Sequence, residues 1–291
     1  MTEHEIKIGT LVGGEKSARV IEKIKGYGFE TFAINFWQNL EGCELKKLAD
    51  DVKRALDGCD AKISAIGIYG NSLTNPEVIA GWKKIIENAH LFGTDLVTGF
   101  AGGLEGQSVT DSMPRFKEVF DELCRMAQDK GLKIAFENCT MNGNWKRVGQ
   151  NIAFCPDAWE LIFNELPYDN VGLQWEPCHQ MTQLIDPMTQ LNEKWIPKFF
   201  NIHGKDATLD RDILRTYGTA SNRKYVWHRT PGFGDSNWTD IISHLRMHGY
   251  KGSIDIEGWH DPVYKGDLEY TGQVHALHHL KYCRGGEFIE F

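Results

Sequence analysis

The sequence predicts an α/β fold, a single (β/α)8 barrel spanning residues 1–291 as one domain. Three observations carry that expectation. Short apolar runs alternate with amphipathic helical stretches eight times along the chain. Its 291 residues suit a barrel that needs roughly 250. Several apolar runs stop at an ionisable residue, which is how a barrel presents groups at the carboxyl ends of its strands. An open doubly wound sheet is the alternative, but there is no longer repeat and no low-complexity linker, which favours closure.

Ile6 to Val12 alternates as a first strand, and Ser17 to Tyr27 follows as a helix with Val20, Ile21 and Ile24 on one side. Thr31 to Trp37 is the second strand, and Glu44 to Leu56 the second helix, with Leu45, Leu48, Ala49, Val52 and Leu56 at helical spacing. Lys62 to Tyr69 and Asp95 to Ala101 are strands three and four. Their helices, Pro76 to Phe92 and Pro114 to Lys130, each open on a proline, whose missing N–H costs nothing in a first turn. Leu132 to Asn138 is the fifth strand, with a helix from Pro156. Val171 to Pro177 is the sixth, with a short helix from Pro187 to Trp195. Lys198 to Asp206 and Gly252 to Gly258 complete the eight, with helices at Trp238 to His248 and Tyr270 to Tyr282. Two connections, Cys139 to Cys155 and Ala207 to Asn237, are too long to be turns. Both lie where strands end, and long loops in compact domains are usually functional.

Composition narrows the function. With 41% hydrophobic and 25% charged residues the chain is globular, and a net charge of −8 argues against a nucleic-acid partner, which calls for clustered Lys and Arg. The amino-terminal residues lack the basic and apolar segments of a signal peptide, and no apolar run is long enough to cross a membrane. Seven scattered cysteines without a CxxC pair point to reduced thiols and a cytoplasmic protein.

The stretch Lys198 to Asp206 organises the rest: a buried-strand pattern runs into His203, Lys205 and Asp206. Three other strands stop at Glu137, Glu176 and Glu257. Consecutive strands of a barrel bring these four ends together, so Glu137, Glu176, His203 and Glu257 are expected to bind one divalent metal. Three carboxylates and an imidazole favour Mn2+, Mg2+ or Co2+ over a thiolate-rich zinc site.

These residues also carry a resemblance. Ile134-Ala-Phe-Glu-Asn-Cys139, Glu176-Pro-Cys-His179, Asp186-Pro187, His203-Gly-Lys-Asp206, Arg229-Thr-Pro-Gly-Phe-Gly234 and Ile254-Asp-Ile-Glu257 resemble the sugar phosphate isomerase/epimerase family of xylose isomerase-like TIM barrels. The likeness runs from Ala65 onward and is strongest from Leu132 to Asp261. It implies a divalent metal, commonly Mn2+ with Zn2+ also open, on Glu137, Glu176, His203 and Glu257. It further implies acid/base roles for Glu137 and Glu257, and substrate contacts from His179 and Arg229. Two departures stand out. Glu176 replaces the usual Asp, lengthening that arm by one methylene, and Trp259 and His260 replace a frequent His and Glu, which points to a different substrate at that rim.

The chemistry expected of such a site is proton abstraction next to a carbonyl through a metal-stabilised enediolate. Return of the proton gives epimerisation or aldose–ketose isomerisation. Expulsion of a group from the next carbon is the alternative, a lyase reaction on a 3-keto-glycoside of the C-glycoside deglycosidase type, whose members pair with a small partner subunit. Lys205 and Asp206 are candidates for substrate hydroxyls or for an internal ion pair. Trp37, Trp145, Trp175, Trp227 and Trp259 lie near strand ends or in the long loops, with Trp37 and Trp259 best placed to stack on a sugar. Only Lys146, Arg147, Lys205 and Arg229 could clamp a phosphate, so a small unphosphorylated sugar or glycoside is the expected partner. A homo-oligomer is plausible because many relatives of such barrels associate.

Overall fold

Every apolar run anticipated above contains a strand, and the computed structural model, which describes residues 5–286 and Ile289, shows how they join. The barrel strands are β1 (Lys7–Gly13), β2 (Thr31–Trp37), β3 (Lys62–Tyr69), β4 (Leu96–Gly99), β5 (Lys133–Glu137), β6 (Val171–Trp175), β7 (Phe199–Gly204) and β10 (Ser253–Ile256). Their pairing is parallel throughout and closes in the order β1-β10-β7-β6-β5-β4-β3-β2. The outer helices are α1 (Ser17–Ile24), α2 (Leu45–Ala55), α3 (Pro76–Asn88), α4 (Val109–Asp129), α5 (Pro156–Glu165), α8 (Trp238–Met247) and α9 (Glu269–Cys283). Between helices and barrel lies an aromatic core in which Phe120 meets Phe136 edge-on at 4.8 Å and Trp82 meets Phe120 at 5.5 Å. Among the described residues no helix is long and apolar enough to cross a membrane.

Three expectations are corrected. Helix α4 starts at Val109 rather than Pro114, because Ser108 and Asp111 form a reciprocal capping box that outweighs the proline as a start signal. After β6 the chain forms α6 (Pro177–Thr182) and two 3-10 turns, Pro187–Gln190 and Ile196–Lys198, in place of a helix from Pro187 to Trp195. Pro177, Pro187 and Pro197 each favour a first turn and deny a longer helix the N–H it needs. Finally, the seventh strand ends at Gly204. The chain turns at Lys205, and β8 (Asp206–Leu209) pairs antiparallel with β9 (Val226–Arg229), with α7 (Arg211–Tyr217) between them. The long connection after β7 is therefore a hairpin standing on the barrel's rim.

Alternation along each strand sends every second residue inward. Part of the interior is apolar, filled by Leu11, Ala33, Ala65, Leu96 and Ala135 against Phe200. The rest is a polar network. Asp255 accepts from Thr31 Oγ1 (2.6 Å), Ser64 Oγ (2.8 Å), Asn201 Nδ2 (2.8 Å) and Ser253 Oγ (2.7 Å). Asn201 Oδ1 accepts from Gln174 Nε2 (2.8 Å), and Gln174 Oε1 accepts from the Tyr69 hydroxyl (2.7 Å). Glycine makes room at Gly67, where a Cβ would lie 2.2 Å from Thr98 Oγ1 and 2.6 Å from the Thr98 carbonyl oxygen.

Asp255→Ala would remove the shared acceptor of four donors, three of them buried. It is expected to destabilise the protein by about 3 kcal/mol or more, with Thr31→Val costing about 1 kcal/mol. Urea unfolding of the two variants checks this, and a loss well under 1 kcal/mol for Asp255→Ala would remove the network from the list of stability determinants.

Candidate metal centre

The inward register that builds the interior also builds the site. Glu137 is the last residue of β5, two beyond inward Ala135. Glu176 and Glu257 each lie one residue past a strand, two beyond Gln174 and Asp255, and His203 lies in β7, two beyond Asn201. One ligand atom from each of Glu137, Glu176, His203 and Glu257 falls within 4.8 Å of the other three. His203 Nδ1 is 3.1 Å from Glu257 Oε2, 3.3 Å from Glu176 Oε2 and 3.8 Å from Glu137 Oε2. Bonds of about 2.1 Å to a small divalent ion place ligand atoms about 3 Å apart as neighbours and about 4.2 Å apart as opposites, and the four atoms suit that span.

Charge makes the same case. All four side chains are buried, and Lys205 is buried with them, its Nζ 3.0 Å from Glu257 Oε1 and 3.2 Å from Glu176 Oε1. Three carboxylates against one ammonium lack two positive charges, the amount a divalent ion supplies. Glu176 Oε1 and Glu257 Oε2 are buried with ion-pair contacts but no well-formed hydrogen bond, to Lys205 and His179 for the first and to His203 for the second, which leaves acceptor capacity for a bound cation. Burial alone would push the His203 imidazole down, but contacts with Glu176, Glu257 and Glu137 outweigh it and raise its pKa to about 10. Burial pushes the Glu137 carboxyl up. Burial acts on Glu257 in the same sense, but Lys205, His203 and His260 overcome it and hold that carboxyl well below the usual range.

A cavity of about 730 Å3 opens above these atoms, lined by Glu137, His203, Lys205 and Glu257 and by Tyr69, Phe100, Trp37 and Trp259. His179, in the first turn of α6, places Nε2 3.2 Å from Glu176 Oε1 and 3.4 Å from Glu137 Oε1. Burial lowers its pKa to about 4, so it is neutral near pH 7. Of the five tryptophans singled out, only Trp37 (54% exposed) and Trp259 (38%) line the cavity. Trp175 is core, stacked on Phe199 at 5.2 Å and donating to Gln190 Oε1.

The structure does not bring Asp206 or Arg229 into this cavity. Asp206 Oδ1 accepts from the N–H of Ala207 (2.7 Å) and Ser236 (3.0 Å), and its Oδ2 from Trp238 Nε1 (3.2 Å), so it pins the hairpin to the start of α8. Arg229 Nε donates to Asp261 Oδ2 at 3.1 Å, and its guanidinium sits 5.9 Å from the Phe233 ring centre. Sequence reasoning missed His228 on β9, which lines the cavity with its ring 5.6 Å from His179 and 5.7 Å from His260. The available signal was its place beside Arg229 in the long connection after β7. His260 Nε2 lies 3.1 Å from Glu257 Oε1.

Because a metal ion must displace the His203 proton, uptake is expected to release about one proton per ion, and affinity to rise with pH below about 10. Calorimetric titration of metal-free protein with Mn2+ in two buffers of different ionisation enthalpy counts that proton; none released near neutral pH would exclude His203 as a ligand.

Comparison with known proteins agrees with this architecture. A family profile described as xylose isomerase-like TIM barrel matches residues 21–282. The inosose isomerase of Halalkalibacterium halodurans is 26% identical over 199 residues, 66% of this chain and 63% of that protein, so the match spans less than two thirds of the relative. The crystal structure of 3-keto-D-glucoside 4-epimerase, YcjR, from E. coli superposes with a TM-score of 0.70 at 16% identity, covering 96% of this chain and 100% of that one. IOLI protein with a bound zinc atom superposes with a TM-score of 0.64 at 16% identity, over 95% and 96% of the two chains. At such identities the structures speak for the fold. The profile, however, runs from the first helix of the barrel into the last, and the chain belongs to the xylose isomerase-like TIM barrel family.

Proposed function

We propose that the chain is a divalent-metal-dependent isomerase or epimerase of a keto-sugar, with Glu257 and Glu137 as its proton-transferring pair. The observation that carries this reading is the convergence of four ligand atoms within 4.8 Å beneath a sugar-sized cavity rimmed by Trp37 and Trp259. Glu137, Glu176, His203 and Glu257 would hold the ion, which when bound supplies a Lewis acid for a carbonyl and a neighbouring hydroxyl. The oxygen-rich donors suit Mn2+ first, then Mg2+ or Co2+, and the zinc of the IOLI structure keeps Zn2+ in view. The inosose isomerase and the 3-keto-D-glucoside 4-epimerase support the class of reaction.

Glu257 suits proton removal from the carbon beside the carbonyl, since Lys205 keeps it ionised despite burial. Glu137, pushed up by burial, suits holding and returning a proton. In barrel order β7 and β6 separate their strands, so the two carboxylates address the substrate from different directions. Return to the same carbon inverts it; return to its neighbour exchanges aldose and ketose. The Lys205 ammonium offers positive charge to the oxygen that becomes negative in the enediolate. Neutral His179 can hydrogen-bond a substrate oxygen, and Trp37 and Trp259 offer faces for a sugar ring. Asp206 and Arg229 we assign to support of the hairpin.

In D2O, metal-stripped protein refilled with Mn2+ is expected to place deuterium next to the carbonyl of at least one ketose, detected by NMR, and to lose that exchange with chelator. Exchange unaffected by chelation would sink the metal reading. Aglycone released from a 3-keto-glycoside, with no interconversion of free sugars, would move the chain to the lyases with the same residues. Glu257→Gln and Glu137→Gln are each expected to lower kcat by about 10²–10⁴, whereas Trp37→Ala should raise KM several-fold with a smaller effect on kcat. Steady-state kinetics on the same sugar decide; near-wild-type turnover in both Gln variants would refute the assignment.

A further inference from the structure

The cavity over the ligand atoms has a neighbour on the side of His228. Thr140, Thr182, His228 and His260 line it and also line a second space of about 700 Å3. The two spaces differ chemically. The inner one is lined by carboxylates and aromatic rings, the outer one by the hydroxyl-bearing Thr219, Ser221 and Tyr225, by Gln183, and by Arg223 and Lys224, with no Asp or Glu in its wall. Each space alone falls within the roughly 300–1,000 Å3 of an ordinary small-molecule site, so a single sugar ring in the inner space leaves the outer one to other contacts.

An anion is the first idea that two cations suggest, but their setting argues otherwise. Arg223 lies over the ring of Tyr217 at 4.7 Å and Lys224 over that of Trp227 at 5.9 Å, both side chains on an exposed loop. That loop follows the carboxyl end of α7, whose partial negative charge disfavours an anion. Hydroxyl, amide and guanidinium groups around a space of this size match a neutral, hydroxyl-rich ring.

We infer that the substrate has two rings: the keto-sugar in the inner space, and a second, neutral sugar ring joined to it by a glycosidic oxygen in the outer space, with His228 at the junction. The identity of the inner ring rests on the function proposed above; the outer space is an additional binding site.

The test reads binding rather than turnover. Glucose, maltose, cellobiose and a glucose phosphate, none of them oxidised and none expected to react, are titrated calorimetrically into Mn2+-loaded protein, into Thr219→Trp, which fills the outer space, and into Arg223→Ala, which removes a donor from it. At least one disaccharide is expected to bind about tenfold tighter than glucose, and both substitutions to erase most of that advantage. Disaccharides no tighter than glucose, or an advantage that survives both substitutions, overturn the inference. The glucose phosphate binding tighter than either disaccharide also overturns it, and makes the outer space an anion site. A failed deuterium-exchange assay would not change this result, and a one-ring preference here would leave the proposed proton transfer standing.

Discussion

Three carboxylates and a histidine that bring one atom each within 4.8 Å of the others, with a lysine buried against two of the carboxylates, set the terms for the whole upper end of this barrel. Like charges at such distances in a water-poor interior repel strongly, and each carries its own desolvation cost. Lys205 offsets part of this through Glu257 and Glu176, and the same carboxylates raise the pKa of His203 and favour its charged form. A divalent ion would take over that role more completely. Buried, mutually repelling carboxylates of this kind cost stability, which is expected of a functional cluster rather than a structural one.

Such a cluster needs a stiff support, and the barrel interior provides it. Gln174, Asn201 and Asp255 lie two residues before Glu176, His203 and Glu257 on the same inward faces, and all three belong to one hydrogen-bonded network. Each of these ligands therefore rises from a strand whose preceding inward residue is already held. Tyr69 ties the network to the cavity: its hydroxyl donates to Gln174, and its ring meets Phe100 at 5.3 Å and His203 at 6.4 Å. Motion of a ligand strand would disturb buried polar contacts, so positional precision at the site and stability of the barrel share one physical origin.

The rim is decided separately. Asp206 turns away from the cavity to hold the hairpin of β8 and β9 against α8, and that hairpin delivers His228 between His179 and His260. Trp37 and Trp259, from distant parts of the chain, leave substantial apolar area exposed at the cavity mouth, an arrangement soluble proteins keep where a ligand covers it. The barrel supplies the buried cluster of carboxylates and histidine; the hairpin and loops shape what can reach it.

The sequence by itself determined the barrel and the meeting of Glu137, Glu176, His203 and Glu257 at its rim. Short, largely apolar runs ending in Glu or His require neither partner nor register to be recognised, and strands adjacent in chain order from Leu132 to Gly258 are adjacent in the closed sheet, apart from the inserted hairpin. Local chemistry that competes, such as the capping box before Pro114 or the prolines after β6, shifted helix boundaries without changing the fold. What only the tertiary structure decided were the partners of each charge. Lys205 and Asp206 are neighbours in sequence with opposite fates, one facing two carboxylates and the other three donors of the hairpin base. Arg229 likewise belongs to Asp261, and His228 reaches the cavity only because β9 pairs back on β8. Pattern reveals which side of a strand a residue occupies, but hydrogen bonds and ion pairs act over about 3 Å between segments far apart in the chain, and those distances exist only after folding.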